Sequence, residues 1–137
     1  MTNSAWINLP VKDAQRSKAF FEKLGADFVD QEGPEMFGIY LGKNKVQVMM
    51  FGHAQFEQFT QSTVADLSNN AEILISMEAQ SKQEVEDLAE KVKAAGGTIY
   101  GGPETWNGWM YGMGFRDLDG HRWNIAYLDW DKMPKEK

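Results

Sequence analysis

Apolar and polar residues alternate near the start of the chain, where Ile7, Leu9 and Val11 fall on one side of an extended segment. The pattern then changes period. Ser17, Phe20, Phe21 and Leu24 recur at i, i+3, i+4 and i+7, the spacing of one buried helix face. Asp13 stands where an N-cap carboxylate would accept from first-turn amides, and Gly25 stands where a left-handed residue ends a helix. Three strand-like runs follow: 26–30, 37–41 and 45–51, the last two joined through Gly42-Lys43-Asn44.

The same order then repeats. Ile73, Ile75 and Met77 share one side of a second short strand. Ser81 and Glu84 make an S-x-x-E capping box. Val85, Leu88, Ala89, Val92 and Ala95 form the apolar stripe of a second helix, which Gly96-Gly97 stops. Three more runs, 98–101, 109–115 and 121–128, are separated by Asn107-Gly108 and Asp119-Gly120, dipeptides that tolerate positive φ in tight turns. The caps Asp13 and Ser81 are 81 − 13 = 68 residues apart, about half of the 137. A duplicated β-α-β-β-β unit explains that spacing better than one continuous sheet. The expected organisation is a single α+β domain over 1–137, with one module over about 4–52, a linker over about 53–70 and a second module over about 71–130. Each half is too short to bury both faces of its sheet alone.

These runs resemble a known family. INLPVKDAQRSKAFFEKLGADF (Ile7–Phe28) is similar to the opening βαβ of the vicinal oxygen chelate superfamily, which unites glyoxalases, bleomycin resistance proteins and extradiol dioxygenases. GWMYGMGFRDLDGHRWNIAYLD (Gly108–Asp129) is similar to its closing hairpins, with their D-x-x-G-x-x-W/I signature. With AEILISMEAQSKQEVEDLAEKVKAAGG (Ala71–Gly97) between them, the resemblance covers nearly the whole chain, and it is closest to predicted lactoylglutathione lyase-like and PhnB-like members. It implies two βαβββ modules forming a curved mixed sheet around a ligand-holding cup, and often a homodimer. It implies no single reaction, because one fold carries many chemistries.

Metal-dependent members take ligands from the first and last strands of each module. Carried over by this resemblance, those positions are Trp6, a residue at about Val48 between Gln47 and Met49, Glu72, and Asn124. Indole and aliphatic groups do not ligate, and Asn124 is a weak neutral donor, so only Glu72 brings charge. A catalytic transition-metal site ordinarily needs three His or carboxylate ligands. The expected state is therefore without a resident metal or other cofactor; a metal, if held, would lie at Glu72. The two histidines take plainer readings: His121 packs or bonds the Asp119-Gly120 turn, and His53 opens the linker. Asp117-x-Asp119-Gly120 lacks the downstream Glu of a calcium loop and reads as a turn.

Alternation places Trp6, Asn8, Glu72, Leu74 and Asn124 on the side away from the helices, with Val48 and Met50 as a floor and Ala126 beside Asn124. Trp106 and Trp109 flank a hairpin turn near Tyr111, either as a ligand platform or as core and interface anchors. Glu72 is the candidate general base: a carboxylate facing an apolar cup needs a partner such as Arg116, Arg122 or a cationic ligand, or holds its proton. On the alternative reading it is a solvated rim residue. His53, Phe56 and Phe59 recur every three residues in the linker, matching a short helix over the pocket mouth or dimer seam, or a core-capping segment.

Composition narrows the function classes. Hydrophobic content of 42% and charged content of 25% are ordinary for a globular chain. A net charge of −6 without a basic stripe disfavours nucleic acid and anionic membranes. No cysteine is present, which removes disulfides and thiolate chemistry. MTNSAWINLPVKD has no secretory-signal pattern, so a cytoplasmic location is expected. Two functions follow: a metal-free small-molecule-binding protein, or a glyoxalase-like lyase or dioxygenase with an atypical ligand shell.

Overall fold

The computed structural model describes residues 2–30 and 33–135. The chain divides into two compact units with the boundary between Asn70 and Ala71. In the first, β1 (Ile7–Val11), α1 (Ala14–Lys23), β2 (Asp27–Phe28), β3 (Met36–Leu41) and β4 (Val46–Gly52) are followed by α2 (His53–Thr60). In the second, β5 (Leu74–Ala79), α3 (Lys82–Ala95), β6 (Thr98–Trp106), β7 (Met110–Arg116) and β8 (Arg122–Leu128) are followed by a single 3-10 turn over Trp130–Lys132. The expected βαβββ order therefore occurs twice. Each unit builds its own four-stranded mixed sheet, ordered β1-β4-β3-β2 and β5-β8-β7-β6.

Both helix starts form as their sequences dictate. Asp13 Oδ1 accepts from the Arg16 amide at 3.1 Å, and Ser81 Oγ accepts from the Glu84 amide at 3.1 Å. The returning Glu84 carboxylate accepts from the amide of Gln80, one residue ahead of the cap, at 3.0 Å. The two glycine dipeptides act differently. Asn107 and Gly108 both take positive φ, +53° and +80°, and close a two-residue hairpin with the Trp109 amide on the Trp106 carbonyl. In Asp119-Gly120 only the glycine does so, in a turn closed by the Gly120 amide on the Asp117 carbonyl.

Parallel pairing of first and last strands fixes which residues each helix covers. Ile7 and Leu9 lie beside Val48 and Met50, which lie beside Ile39 and Phe37. This row packs on α1: Phe37 meets Phe21, itself edge-on to Phe20, and all three are buried. In the second unit Ile75 and Met77 lie beside Trp123 and Ile125, and those beside Phe115 and Met113. This row packs on α3 through Val85, Ala89 and Val92.

The boundaries differ from expectation in three places. Strand β5 begins at Leu74, so Ile73 is exposed rather than part of the buried row. Strand β6 runs on to Trp106, because a register shift at Gly101 and another before Glu104 absorb the break in its alternation. The expected linker is partly helical: α2 packs on β1 and β4, with Phe59 edge-on to Phe51 at 5.6 Å. Among the described residues no helix is long and apolar enough to cross a membrane.

Phe37, 1% exposed, and Phe59, 65% exposed, give a direct test of this packing. Phe37→Ala is expected to cost about 3–5 kcal/mol in denaturant unfolding. Phe59→Ala is expected to change stability by no more than about 0.5 kcal/mol. Equal losses at the two positions would contradict the assignment of the core.

Candidate functional site

α1 covers one face of the first sheet and α3 one face of the second, and the chemistry that is left lies on the other face, which in the first unit α2 partly covers through Phe59 on Phe51. In the first unit that open face carries Asn8 and Pro10 from β1, Gln47, Met49 and Phe51 from β4, and Met36, Gly38 and Tyr40 from β3. Asn8 is therefore where alternation placed it, and Trp6, just before β1, is exposed. Val48 and Met50 are not on this face. They stand in register with Ile7 and Leu9 and are fully buried beneath α1, so the expected floor was one residue out of register. Met49 takes the position on the face away from α1, where it is itself buried. Its thioether lies over Gly38, where any Cβ would collide with it, and accepts from Gln47 Nε2 at 3.1 Å.

In the second unit the open face carries Leu74, Ser76 and Glu78 from β5, and Arg122, Asn124 and Ala126 from β8. Strand β7 contributes Arg116, Gly114, Gly112 and Met110. Leu74 and Asn124 thus lie on the predicted side. The two β7 glycines form a bare strip on which β6 lays two rings. A Cβ on Gly114 would come within 2.7 Å of the Tyr100 ring, and one on Gly112 within 2.6 Å of the Trp106 ring. Trp106 is held there by its indole N–H, which donates to Glu104 Oε1 at 2.9 Å. Trp109 meets Trp130 with ring centroids 5.4 Å apart.

Two further expected site residues are placed elsewhere. Tyr111 shares the α3 side with Met113 and Phe115. Its hydroxyl donates to Glu86 Oε1 at 2.9 Å, and Lys82 lies over its ring. It is thus part of the helix packing. Glu72 lies in the bend before β5, exposed and outside any strand, and has no ion pair with Arg116 or Arg122 among the described residues. Exposed in this bend, it is not the carboxylate in an apolar cup that the general-base reading required. The offset of 68 residues between helix caps carried the missing signal. Applied to the strands, it matches Ile7 with Ile75 and Trp6 with Leu74, leaving Glu72 two residues too early.

Strand register also aligns the two modules with each other. Val48 pairs with Ile7 as Trp123 pairs with Ile75, so Met49 corresponds to Asn124. The four positions that the family resemblance assigns to metal ligands therefore hold Trp6, Met49, Leu74 and Asn124. None is an imidazole or a carboxylate, and this donor set does not fit a catalytic transition metal. Among the described residues no three or more His, Cys, Asp or Glu side chains cluster to hold an ion.

Asp117 is the buried charge of the second unit. Its Oδ1 accepts from the amides of Asp119 at 2.9 Å and His121 at 3.0 Å, and its Oδ2 accepts from the Trp123 indole at 3.0 Å. The reading of this segment as a turn agrees with that geometry, and His121 is buried in it. Burial pushes the Asp117 carboxyl above the ordinary aspartate value of 3.8, opposed by the neighbouring His121 and by the N–H donors.

A matched family model, that of the glyoxalase/bleomycin resistance protein/dioxygenase superfamily, covers residues 3–125. A hypothetical protein from S. aureus is 33% identical with a TM-score of 0.83, over 93% of this chain and 95% of that one. A glyoxalase/bleomycin resistance protein/dioxygenase family enzyme from Burkholderia phytofirmans is 18% identical with a TM-score of 0.75, over 90% and 96%. The genomically encoded fosfomycin resistance protein from Listeria monocytogenes is 17% identical with a TM-score of 0.66, over 100% and 96%. No curated protein matches.

Asp117→Asn keeps one acceptor oxygen but turns an amide N–H₂ toward the Trp123 indole N–H. It is expected to cost on the order of 1–3 kcal/mol in urea unfolding. A carboxyl whose pKa is raised by folding adds stability below about pH 3.8, the unfolded value, and loses it as pH rises through the folded value. The advantage of wild type over Asp117→Asn should therefore be larger at pH 3 than at pH 7. An advantage that grows with pH would mean that the three donors outweigh burial.

Proposed function

The chain belongs to the glyoxalase/bleomycin resistance protein/dioxygenase superfamily, and from that premise we propose that it binds a small organic molecule without a resident catalytic metal. The observation that carries this reading is the donor set at Trp6, Met49, Leu74 and Asn124. At these positions the chain offers one indole, one thioether, one alkyl group and one neutral amide. Stacking and hydrogen bonding are what such groups supply, and a few polar groups in apolar surroundings are the usual recipe for small-molecule recognition. Trp106, on the open face of the second sheet, is the aromatic contact there, and Asn124 is the hydrogen-bonding one. Glu72 enters as a solvated carboxylate beside Leu74. The exposed Trp6 and Leu74 flank edge strands β1 and β5, which supports assembly as an isologous homodimer.

Purified without chelator and dialysed, the protein is expected to carry well under one equivalent of Zn, Ni, Mn or Fe by elemental analysis. Stoichiometric metal would overturn the reading and favour a lyase or dioxygenase with an atypical shell. In a thermal-shift screen of small organic compounds, hits should lose their stabilising effect in Trp106→Ala and Asn124→Ala.

Glu72→Gln is expected to leave stability within about 0.5 kcal/mol of wild type, since an exposed carboxylate without an ion pair has little to lose. A fall of several kcal/mol in chemical denaturation would reveal a buried partner for Glu72.

A further inference from the structure

Trp106 ends β6 on the open face of the second sheet, and its ring turns back along the strand. The indole N–H donates to Glu104 Oε1 at 2.9 Å, a charge-assisted bond that anchors the ring. The ring lies over Gly112, whose neighbour on β8 is Ala126. It is half-buried, and among the described residues no second ring and no cation lies over it.

Four other rings that reach solvent each carry a cation of the chain. Lys18 lies over Phe28 at 5.7 Å, Lys45 over Tyr40 at 5.4 Å, Lys82 over Tyr111 at 5.4 Å and Arg122 over Tyr100 at 4.7 Å, all measured to the ring centroid. Each sets a positive charge against the negative face of a π system, an attraction that is strongest for indole. Trp106 is a better acceptor than any of the four, and the chain gives it no cation of its own. Trp6 has none either, but among the described residues no carboxylate bonds its indole.

The charge around Trp106 has the complementary sign. Cross-strand pairing puts Glu78, Ala126, Gly112 and Glu104 in one row across β5, β8, β7 and β6. A carboxylate thus stands at each end of the row over which the indole lies. Both are exposed, and neither has an ion pair among the described residues. Their strands are about 14 Å apart, three strand spacings, so the two do not chelate one metal ion between them. They flank an aromatic surface, which suits a diffuse organic cation. Arg122 and Arg116 lie four residues along β8 and β7 from Ala126 and Gly112, or about 13 Å. That exceeds the screening length of about 8 Å at physiological salt.

We propose that Trp106, with Glu104 and Glu78 on either side, is a subsite for the positively charged nitrogen of an organic cation, an ammonium group or a cationic heterocycle. The proposal rests on the small-molecule reading and gives its ligand a charge. The chain's net −6 favours the approach of such a ligand.

Nitrogen-15 NMR of the indole Nε1–H groups tests it on the intact protein. The probes are choline and its uncharged isostere 3,3-dimethylbutan-1-ol, at an ionic strength held constant with sodium chloride. Trp106→Phe identifies the Trp106 signal by removing it. That signal should shift saturably with choline, and the alcohol should bind about threefold more weakly or worse. Trp106→Leu, followed through the amides of Gly112 and Ala126, should abolish choline binding. Glu78→Gln combined with Glu104→Gln keeps an acceptor for the indole and removes both charges. This double variant should weaken choline about threefold or more and leave the alcohol as it was. No saturable shift with choline, equal affinity for choline and the alcohol, or undiminished choline affinity in Trp106→Leu would overturn the proposal. If Trp106→Leu does not fold, the double variant decides, and full choline affinity there overturns it. Failure here alongside metal-free protein and thermal-shift hits with uncharged compounds would remove the cation subsite and leave the binding function standing.

Discussion

Within each unit the first strand lies parallel to the last, and a parallel neighbour can be reached only by a crossover over one face of the sheet. That crossover contains α1 in one unit and α3 in the other. Once the helix is on one face, every residue of the four strands is assigned to one side or the other by the pleat. Ile7, Leu9, Val48, Met50, Phe37 and Ile39 go under α1, and Ile75, Trp123, Ile125, Met113 and Phe115 go under α3. What is left for recognition is the complement of that set. The site is therefore a consequence of core formation, and an error of one residue in the core becomes an error of a whole face in the site.

The helices were legible because their signals are local. Asp13 and Ser81 cap amides three residues away, and the stripe from Val85 to Ala95 recurs within one helix. The Asn107-Gly108 hairpin was legible for the same reason. Strand register is set by partners far along the chain, and here reading from sequence fell short at Val48 and Met50. Three consecutive residues, Val48, Met49 and Met50, are all buried. Hydrophobicity alone does not reveal which of the three faces away from α1. The long β6 escaped for a related reason: glycines and a proline at 101–103 interrupt its alternation, and only pairing with β7 carries it through.

Glu72 illustrates a different limit. Its charge drew attention, and alternation counted back from Leu74 gave it a side, but side-chain alternation has meaning only where a strand exists. The chain bends at Glu72 before the ladder with β8 begins at Leu74. Arg122 and Tyr100, by contrast, look like unremarkable surface residues in the sequence. They come together because Arg122 is carried by β8 and Tyr100 by β6, with β7 between them reduced to a glycine at that point.

That glycine strip separates two kinds of inheritance. Tyr100 and Trp106 lie over the Gly114 and Gly112 backbone, on the face away from α3, so their identities are not locked to the residues under α3. Descendants of this chain can exchange either ring for another shape, altering what the face accepts, while Met113, Phe115 and Trp123 go on holding the sheet to its helix. The reverse path is closed: a methyl group at 114 runs into the Tyr100 ring, and one at 112 runs into both the Ile125 carbonyl and the Trp106 ring, so either disturbs the surface that a ligand would meet. Novelty in this half of the molecule is thus expected to arise at β6 and β8, across a middle strand that is obliged to stay plain.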